Sequence, residues 1–213
     1  RGGTRGPADP QAPNAATITL STHQGWQEVE YFVDQLNGYW DTDLLGFEQR
    51  IVVGAEDAQL LHTVLPFASL RALSSQNDPA LAPRPFDASR DGFITTGGGV
   101  TLVLEEAEHA AARGATVYAE VTGWGQGSDG YDVVAPDPSG SGLARAMTNA
   151  LQDASLEAAA IDYINAHGTA TNAGDIAELS ALKTVFTGDA RPKVSSTKAL
   201  TGHGLCLAGA LEA

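Results

Sequence analysis

Two stretches decide how this chain is read: Asp162-Tyr-Ile-Asn-Ala-His167-Gly-Thr-Ala-Thr171 and Val194-Ser-Ser-Thr-Lys198-Ala-Leu-Thr-Gly-His203. In the first, the apolar run Ile161 to Ile164 predicts a short buried strand that ends in a histidine, a glycine and two threonines. A helix is predicted to follow from near Asp175 to Phe186. A polar residue at the carboxyl end of a strand, just ahead of a helix, stands where open α/β sheets place ligands. The second stretch repeats the arrangement with Lys198 and His203. Two histidines and a lysine at strand-to-helix junctions imply one catalytic pocket.

Working outward, residues 1–17 are rich in Gly, Pro and Ala without apolar period, and a flexible tail is expected. Trp26, Val29, Phe32, Val33 and Leu36 recur at helical spacing, with Gly38 as the stop. Tyr39 to Gln49 reads as irregular, and Ile51-Val-Val53 as a buried strand. Gln59 to Leu73 is mixed and broken by Pro66. Val100 to Glu105 has the continuous apolar character of a strand covered on both faces. A short helix over Glu106–Arg113 with Gly114 after it is expected, then an alternating segment from Thr116 to Trp124. Gly125 to Gly142 reads as a loop, after which Ser141 caps a helix that turns Leu143, Met147, Ala150 and Leu151 inward. This order predicts a layered α/β architecture with a mostly parallel sheet.

Composition narrows the function classes. Twelve Lys+Arg against 26 Asp+Glu give a net charge of −14, which argues against nucleic acid as a partner. No apolar run approaches the roughly 20 residues of a membrane span, and no signal peptide is visible. A soluble cytoplasmic protein is expected. Cys206 is the only cysteine, so an internal disulfide and a thiolate metal cage are both ruled out. No histidine–carboxylate grouping has metal-ligand spacing, and no metal is expected. Gly97-Gly98-Gly99 lacks the spacing of a phosphate loop or dinucleotide fingerprint and reads as close backbone packing. His62 and His109 read as solvated or capping. The chain opens on Arg1 and stops within an apparent helix, so it is read as a segment of a longer protein.

His167-Gly-Thr-Ala-Thr171, followed by Gly174, Asp175 and Glu178, resembles the first-histidine motif of the β-ketoacyl-acyl-carrier-protein synthases. Ser196-Thr-Lys198-Ala-Leu-Thr-Gly-His203 resembles their lysine and second-histidine motif, with the same five-residue step (203 − 198). The stretch from Arg84-Pro-Phe-Asp87 to Trp124-Gly125 is similar to the family's mid-chain signature. The resemblance runs from about Ile51 to Ala213 and implies the thiolase-like fold, a layered αβαβα arrangement that is incomplete here. On that basis 18–99 is a remnant of the N-terminal half, with a weak match before residue 51. Residues 100–213 are a truncated C-terminal half.

The resemblance also implies an activity: decarboxylative Claisen condensation of an acyl group with malonyl-carrier protein, in fatty acid or polyketide biosynthesis. It implies His167, Lys198, His203 and Glu178 as catalytic residues. No cofactor is implied beyond the phosphopantetheine on which acyl carrier protein holds the substrates. Acyl carrier protein is the implied partner, within a homodimer or a ketosynthase heterodimer. Thr169 and Thr171 resemble hydroxyls that bind the phosphopantetheine arm, the favoured reading; local turn bonding is the alternative. Lys198 reads either as a buried cation organising His167 and the Glu178 carboxylate, or as a surface lysine. Asp175-x-x-Glu178 also has the form of a capping box. His167 is expected to be held neutral by desolvation, and His203 by the positive end of a following helix.

The family's attacking cysteine would precede the strand at Ile51. The matching region, Thr19 to Trp26, holds none; Ser21 lies roughly in place but without a neighbouring base, and Gln24 is similar to the residue that replaces cysteine in partner subunits of aromatic polyketide systems. Cys206 reads as a buried packing residue. The nucleophile is therefore unknown, and the alternative reading is a non-catalytic, chain-length-factor-like partner of a ketosynthase. A thiolase-type acyl-CoA enzyme is disfavoured, because thiolases lack the HGTxT…K…GH set.

Overall fold

A computed structural model describes residues 35–44, 47–57, 61–132, 134–188 and 190–213. The expected tail, Ser21, Gln24 and most of the Trp26–Leu36 helix lie outside these residues. The described chain divides into two compact units. The first gathers residues up to Pro66 with Thr95–Glu120 and Gly204–Ala213. The second joins Phe67–Ile94 to Val121–His203.

The first unit is built on a three-stranded antiparallel sheet of order β1-β2-β3. Its strands are β1 (Gln35–Leu44), β2 (Phe47–Asp57) and β3 (Gly97–Glu105). Ile51-Val-Val53 is a strand as expected. Leu36 and Gly38, expected at a helix end, lie on β1, and the irregular stretch expected from Tyr39 to Gln49 supplies most of the β1–β2 pairing. Local propensity misled there: Gly38, Asp41 and Asp43 are poor strand formers, and ten residue pairs from Gln35↔Glu56 to Leu44↔Phe47 override them. The mostly parallel sheet is corrected likewise, since both pairings here are antiparallel.

Strand β3 extends three residues before Val100 because Gly97, Gly98 and Gly99 pair with Asp57, Glu56 and Ala55. A Cβ on Gly98 would stand 3.1 Å from the Leu207 side chain, so the close packing expected there is real. Burial on both faces is not: Val103 is 63% exposed. Helix α2 (Ala107–Ala112) has Glu106 as N-cap, its carboxylate accepting from the Glu108 and His109 amides, and Gly114 follows at φ +69°. His109, expected to be solvated or capping, pairs through Nδ1 with Glu105 at 2.6 Å. Cys206, expected to be buried, is exposed in a 3₁₀ turn over Leu205–Leu207. That turn breaks the helical spacing that would have pointed the thiol inward; the helix proper, α6 (Ala208–Glu212), starts after it.

Helix α1 (Leu61–Ser69) runs through Pro66 rather than breaking there. In the second unit an extended, unpaired segment from Val121 lies along α3 (Ser141–Asp153). The alternation from Thr116 to Trp124 predicted a strand, but these residues have no ladder partner and Val117, Val121 and Trp124 are exposed. What fixes the segment is a seam of small residues. A Cβ on Gly123 would lie 2.5 Å from the Ala154 nitrogen, one on Gly125 2.0 Å from the Ala146 oxygen, and one on Gly127 2.4 Å from the Gly142 oxygen. The period of two along the segment meets the period of four along α3. Gly140 caps α3, while Ser141 is its first residue and donates its hydroxyl to Asp137. Gly142 and Ala144 are the residues α3 buries; Leu143, expected inside, is exposed.

Strands β4 (Tyr163–Asn165) and β5 (Lys193–Ser195) form the parallel pair that the two opening stretches predicted. Each is followed by a helix, α4 (Asn172–Val185) after β4 and α5 (Lys198–Thr201) after β5. Strand β4 is shorter than the apolar run, and its Tyr163 is exposed. Helix α4 buries Asp175, Ala177, Glu178, Ala181 and Leu182 on one face. The parallel register brings the carboxyl ends of β4 and β5 side by side, and with them the two loops that carry His167 and Lys198.

Candidate active site

The loop after β4 is shaped from below by two carboxylates of α4. Thr171 is the N-cap, its hydroxyl accepting from the Gly174 amide, so Asp175 and Glu178 lie inside the helix. The capping box headed by Asp175 is therefore corrected: α4 starts earlier than Asp175, and Glu178 is free to turn away from its own backbone. Its two oxygens accept the backbone N–H groups of His167 at 2.8 Å and Gly168 at 2.7 Å. A carboxylate filling two orphan donors fixes the peptide on either side of the histidine. Burial raises the Glu178 pKa, and the two N–H donors and the Lys198 charge oppose that rise.

Asp175 is fully buried and does the same for the neighbouring chain. It accepts from Ala170 N–H at 3.1 Å and Phe86 N–H at 2.8 Å, and pairs with Arg90 Nε at 3.1 Å. Arg90 also donates to the Thr171 and Asn172 carbonyls. Phe86 is held at φ +65°, a left-handed conformation uncommon for a bulky residue. Its ring presses on Gly168, where a Cβ would meet it at 3.0 Å and the Ser196 Cβ at 2.7 Å. Only glycine fits there, at φ +33°.

Above this base the three sequence-predicted groups converge. Lys198, the first residue of α5, is 1% exposed, which excludes a surface lysine. Lysine is almost never so buried without a partner. Its Nζ lies 3.4 Å from His167 Nδ1. The imidazoles of His167 and His203 stand edge to face with centroids 5.2 Å apart, and Phe93 packs on the far side of His203 at 5.0 Å. The His203 amide donates to the Ile94 carbonyl at 2.8 Å. His203 is 8% exposed and its buried Nδ1 has no hydrogen-bond partner. His167 keeps an exposed surface, while the crowding of its ring suffices to disfavour the cation.

Both rings are held neutral at pH 7. Desolvation, then the Lys198 charge, lowers the His167 pKa to about 4. Desolvation first, then His167 and Lys198, lowers that of His203 to about 3. The expected agent for His203, a helix end, is thus replaced by burial. The chain after His203 turns into a 3₁₀ segment, too short and irregular to carry a macrodipole. Thr169 and Thr171 share a hydrogen bond between their hydroxyls at 2.9 Å, and Thr171 also caps α4. No group of three or more metal-ligating side chains occurs among the described residues.

The geometry gives two neutral imidazoles, one backed by an ammonium group; His167 and Lys198 stand at strand-to-helix junctions, whereas His203, expected at one, lies between α5 and the 3₁₀ turn. Comparison with known proteins bears directly on this set. Residues 118–213, which include all of it, match the family described as "Beta-ketoacyl synthase, C-terminal domain". The 3-oxoacyl-[acyl-carrier-protein] synthase 2 of Vibrio cholerae is 42% identical over 207 residues, 95% of this chain and 48% of that protein.

The chain belongs to the β-ketoacyl synthase family.

It spans about half the length of the curated relatives it matches. Among solved structures, a β-ketoacyl synthase from Burkholderia phymatum is 48% identical with a TM-score of 0.69, covering 76% of this chain and 39% of that one. The ishigamide ketosynthase/chain length factor is 37% identical with a TM-score of 0.66, covering 76% and 38%. The fold is accordingly α/β, of the thiolase-like ketosynthase kind. No helix among the described residues is long and apolar enough to cross a membrane.

Reading the sequence passed over Asp175, Arg90, Phe86 and Ser196 as parts of one site. Only Asp175 carried a visible signal. A cap at Thr171 in place of Asp175 would have turned both carboxylates of α4 toward the histidine loop.

Proposed function

We propose that this chain carries the histidine–lysine part of a decarboxylating condensing site, that of a β-ketoacyl-acyl-carrier-protein synthase. One observation carries the reading: two neutral imidazoles 5.2 Å apart, with Lys198 behind His167. An ammonium group donating to Nδ1 leaves His167 with its proton on Nε2, as a donor. When a malonyl thioester loses carbon dioxide, the electron pair of the breaking C–C bond moves into an enolate and negative charge gathers on the thioester oxygen. Neutral imidazole N–H groups stabilise that charge without having to surrender a proton. The enolate carbon then attacks an acyl thioester carbonyl, and the thiolate leaves as the β-ketoacyl product forms. The acyl-bearing thiol is not assigned: Cys206, the one cysteine of the sequence, is exposed in a 3₁₀ turn.

Thr169 and Thr171 line the same loop and supply hydroxyls for the phosphopantetheine arm. Acyl carrier protein is the partner that presents it, no further cofactor being required, and the working assembly is a homodimer or a ketosynthase heterodimer in the cytoplasm. The solved ketosynthase/chain length factor supports a second reading, a partner subunit of that kind.

The test is to incubate the purified chain with malonyl-carrier protein and measure acetyl-carrier protein. Decarboxylation is expected, and His203→Ala should slow it by about 10²–10³-fold, the usual cost of one oxyanion donor. Turnover unchanged in both His167→Ala and His203→Ala would refute the reading. No turnover, with tight binding to an active ketosynthase, would support the partner-subunit reading instead.

A further inference from the structure

We propose that Ser196 is a positioning residue that sets the tautomer and orientation of His167. The inference rests on the reading of His167 as a hydrogen-bond donor. Ser196 is 8% exposed and touches none of the three reacting side chains through its hydroxyl. That hydroxyl donates to the Gly168 carbonyl at 2.9 Å and accepts the Lys198 backbone N–H at 3.3 Å. It therefore links the carbonyl of Gly168, the residue after His167, to the first residue of α5. The link closes a ladder that β4 and β5 begin. The Ala166 amide donates to the Ser195 carbonyl at 2.8 Å, and the Thr197 amide to the Asn165 side chain at 3.3 Å. Those contacts align the strands; Ser196 alone reaches past them to the residues on which Lys198 and His167 pivot.

The geometry makes the hydroxyl matter. Gly168 is gripped between the Phe86 ring and the Ser196 Cβ, and Glu178 holds its amide from below. Its carbonyl belongs to the next peptide, Gly168–Thr169, and Ser196 fixes that one. Without the hydroxyl, a buried carbonyl and a buried amide both lose a partner. The Gly168–Thr169 peptide and the start of α5 then shift to find others, and the 3.4 Å contact between Lys198 Nζ and His167 Nδ1 is lost with them. That contact is what selects the Nε2–H form of the ring.

The experiment labels the full chain with ¹⁵N-histidine and reads the His167 ring nitrogens across pH, with the signal assigned by its disappearance in His167→Asn. The unaltered protein should show one neutral Nε2–H tautomer that protonates well below the ordinary imidazole range. Ser196→Ala should give a mixture of tautomers and a higher titration midpoint, while Ser196→Thr, which keeps the hydroxyl, should retain the original pattern. With malonyl-carrier protein, Ser196→Ala should lose about 10²-fold in kcat at unchanged KM, the effect of a small misplacement. Should Ser196→Ala not fold, Ser196→Cys is read in the same way. An unaltered tautomer and midpoint in the folded variant, or the alanine pattern in Ser196→Thr, overturns the proposal. Absence of decarboxylation in the parent protein would overturn the condensing-site reading alone, since the ring nitrogens report on Ser196 regardless.

Discussion

Glu178→Gln removes the charge beneath His167 while preserving shape, and its cost can be worked from two distances. The carboxylate accepts the His167 amide at 2.8 Å and the Gly168 amide at 2.7 Å, one donor for each oxygen. Glutamine has a single acceptor oxygen. Whichever way it is turned, its NH₂ group faces a buried backbone N–H, donor against donor. One hydrogen bond is lost outright and the other loses its charge assistance. At ~1.5–3 kcal/mol for a hydrogen bond to a charged group, the variant should be destabilised by about 2–4 kcal/mol. Urea unfolding at pH 7 measures this, with the slope m unchanged if only stability has altered. Glu157→Gln, at an exposed position on the same unit, is the control and should stay within about 0.5 kcal/mol of the parent. A Glu178→Gln change as small as that of the control would refute the assignment of Glu178 as the floor of the histidine loop.

Gly125→Ala drives a Cβ to 2.0 Å from the Ala146 oxygen of α3, backbone that cannot step aside, and should destabilise by about 3 kcal/mol or prevent folding. Gly209→Ala, in a helix with open space around it, should be neutral or gain up to about 1 kcal/mol; thermal melts compare the two. Stability should also fall with acid through His203. Its folded pKa of about 3 lies below the ordinary 6.5, so its contribution is complete above pH 6.5 and is lost as pH falls toward 3. Within that window unfolding takes up one proton at this site, a slope of about 1.4 kcal/mol per pH unit, and His203→Gln should flatten the measured curve by that amount.

The site was more legible than its frame. His167 and Lys198 each come after a short strand and stand at or before a helix, and a parallel pair of strands is enough to bring such junctions together; His203 follows α5 and is held by the Ile94 carbonyl. Desolvation of His167 is implied by the same local reading. The sheet of β1, β2 and β3 was harder to see, because its pairing spans from Gln49 to Glu105 and no local pattern encodes a partner 56 residues away (105 − 49). The bond from Phe86 to Asp175 crosses 89 residues for the same reason. One signal was present and unused: glycines at 123, 125 and 127 keep the period of a strand, and strand glycines mark a backbone approached closely by another. Leu143 and Cys206 failed on a helical wheel, the one because α3 buries its small residues and the other because a 3₁₀ turn shifts the phase.

The way the chain threads its two units has a consequence for biosynthesis. All of the second unit has been translated once His203 is made, whereas the first still awaits Gly204–Ala213 after everything else it contains has left the ribosome. Folding during translation, at about 5–20 residues per second, therefore completes the histidine-bearing unit first. The antiparallel sheet must wait with one flank uncovered, since Leu207, which covers Gly98, follows every residue of the second unit. A chain ended at His203 and released should have a histidine loop that resists protease while β3 is still cut.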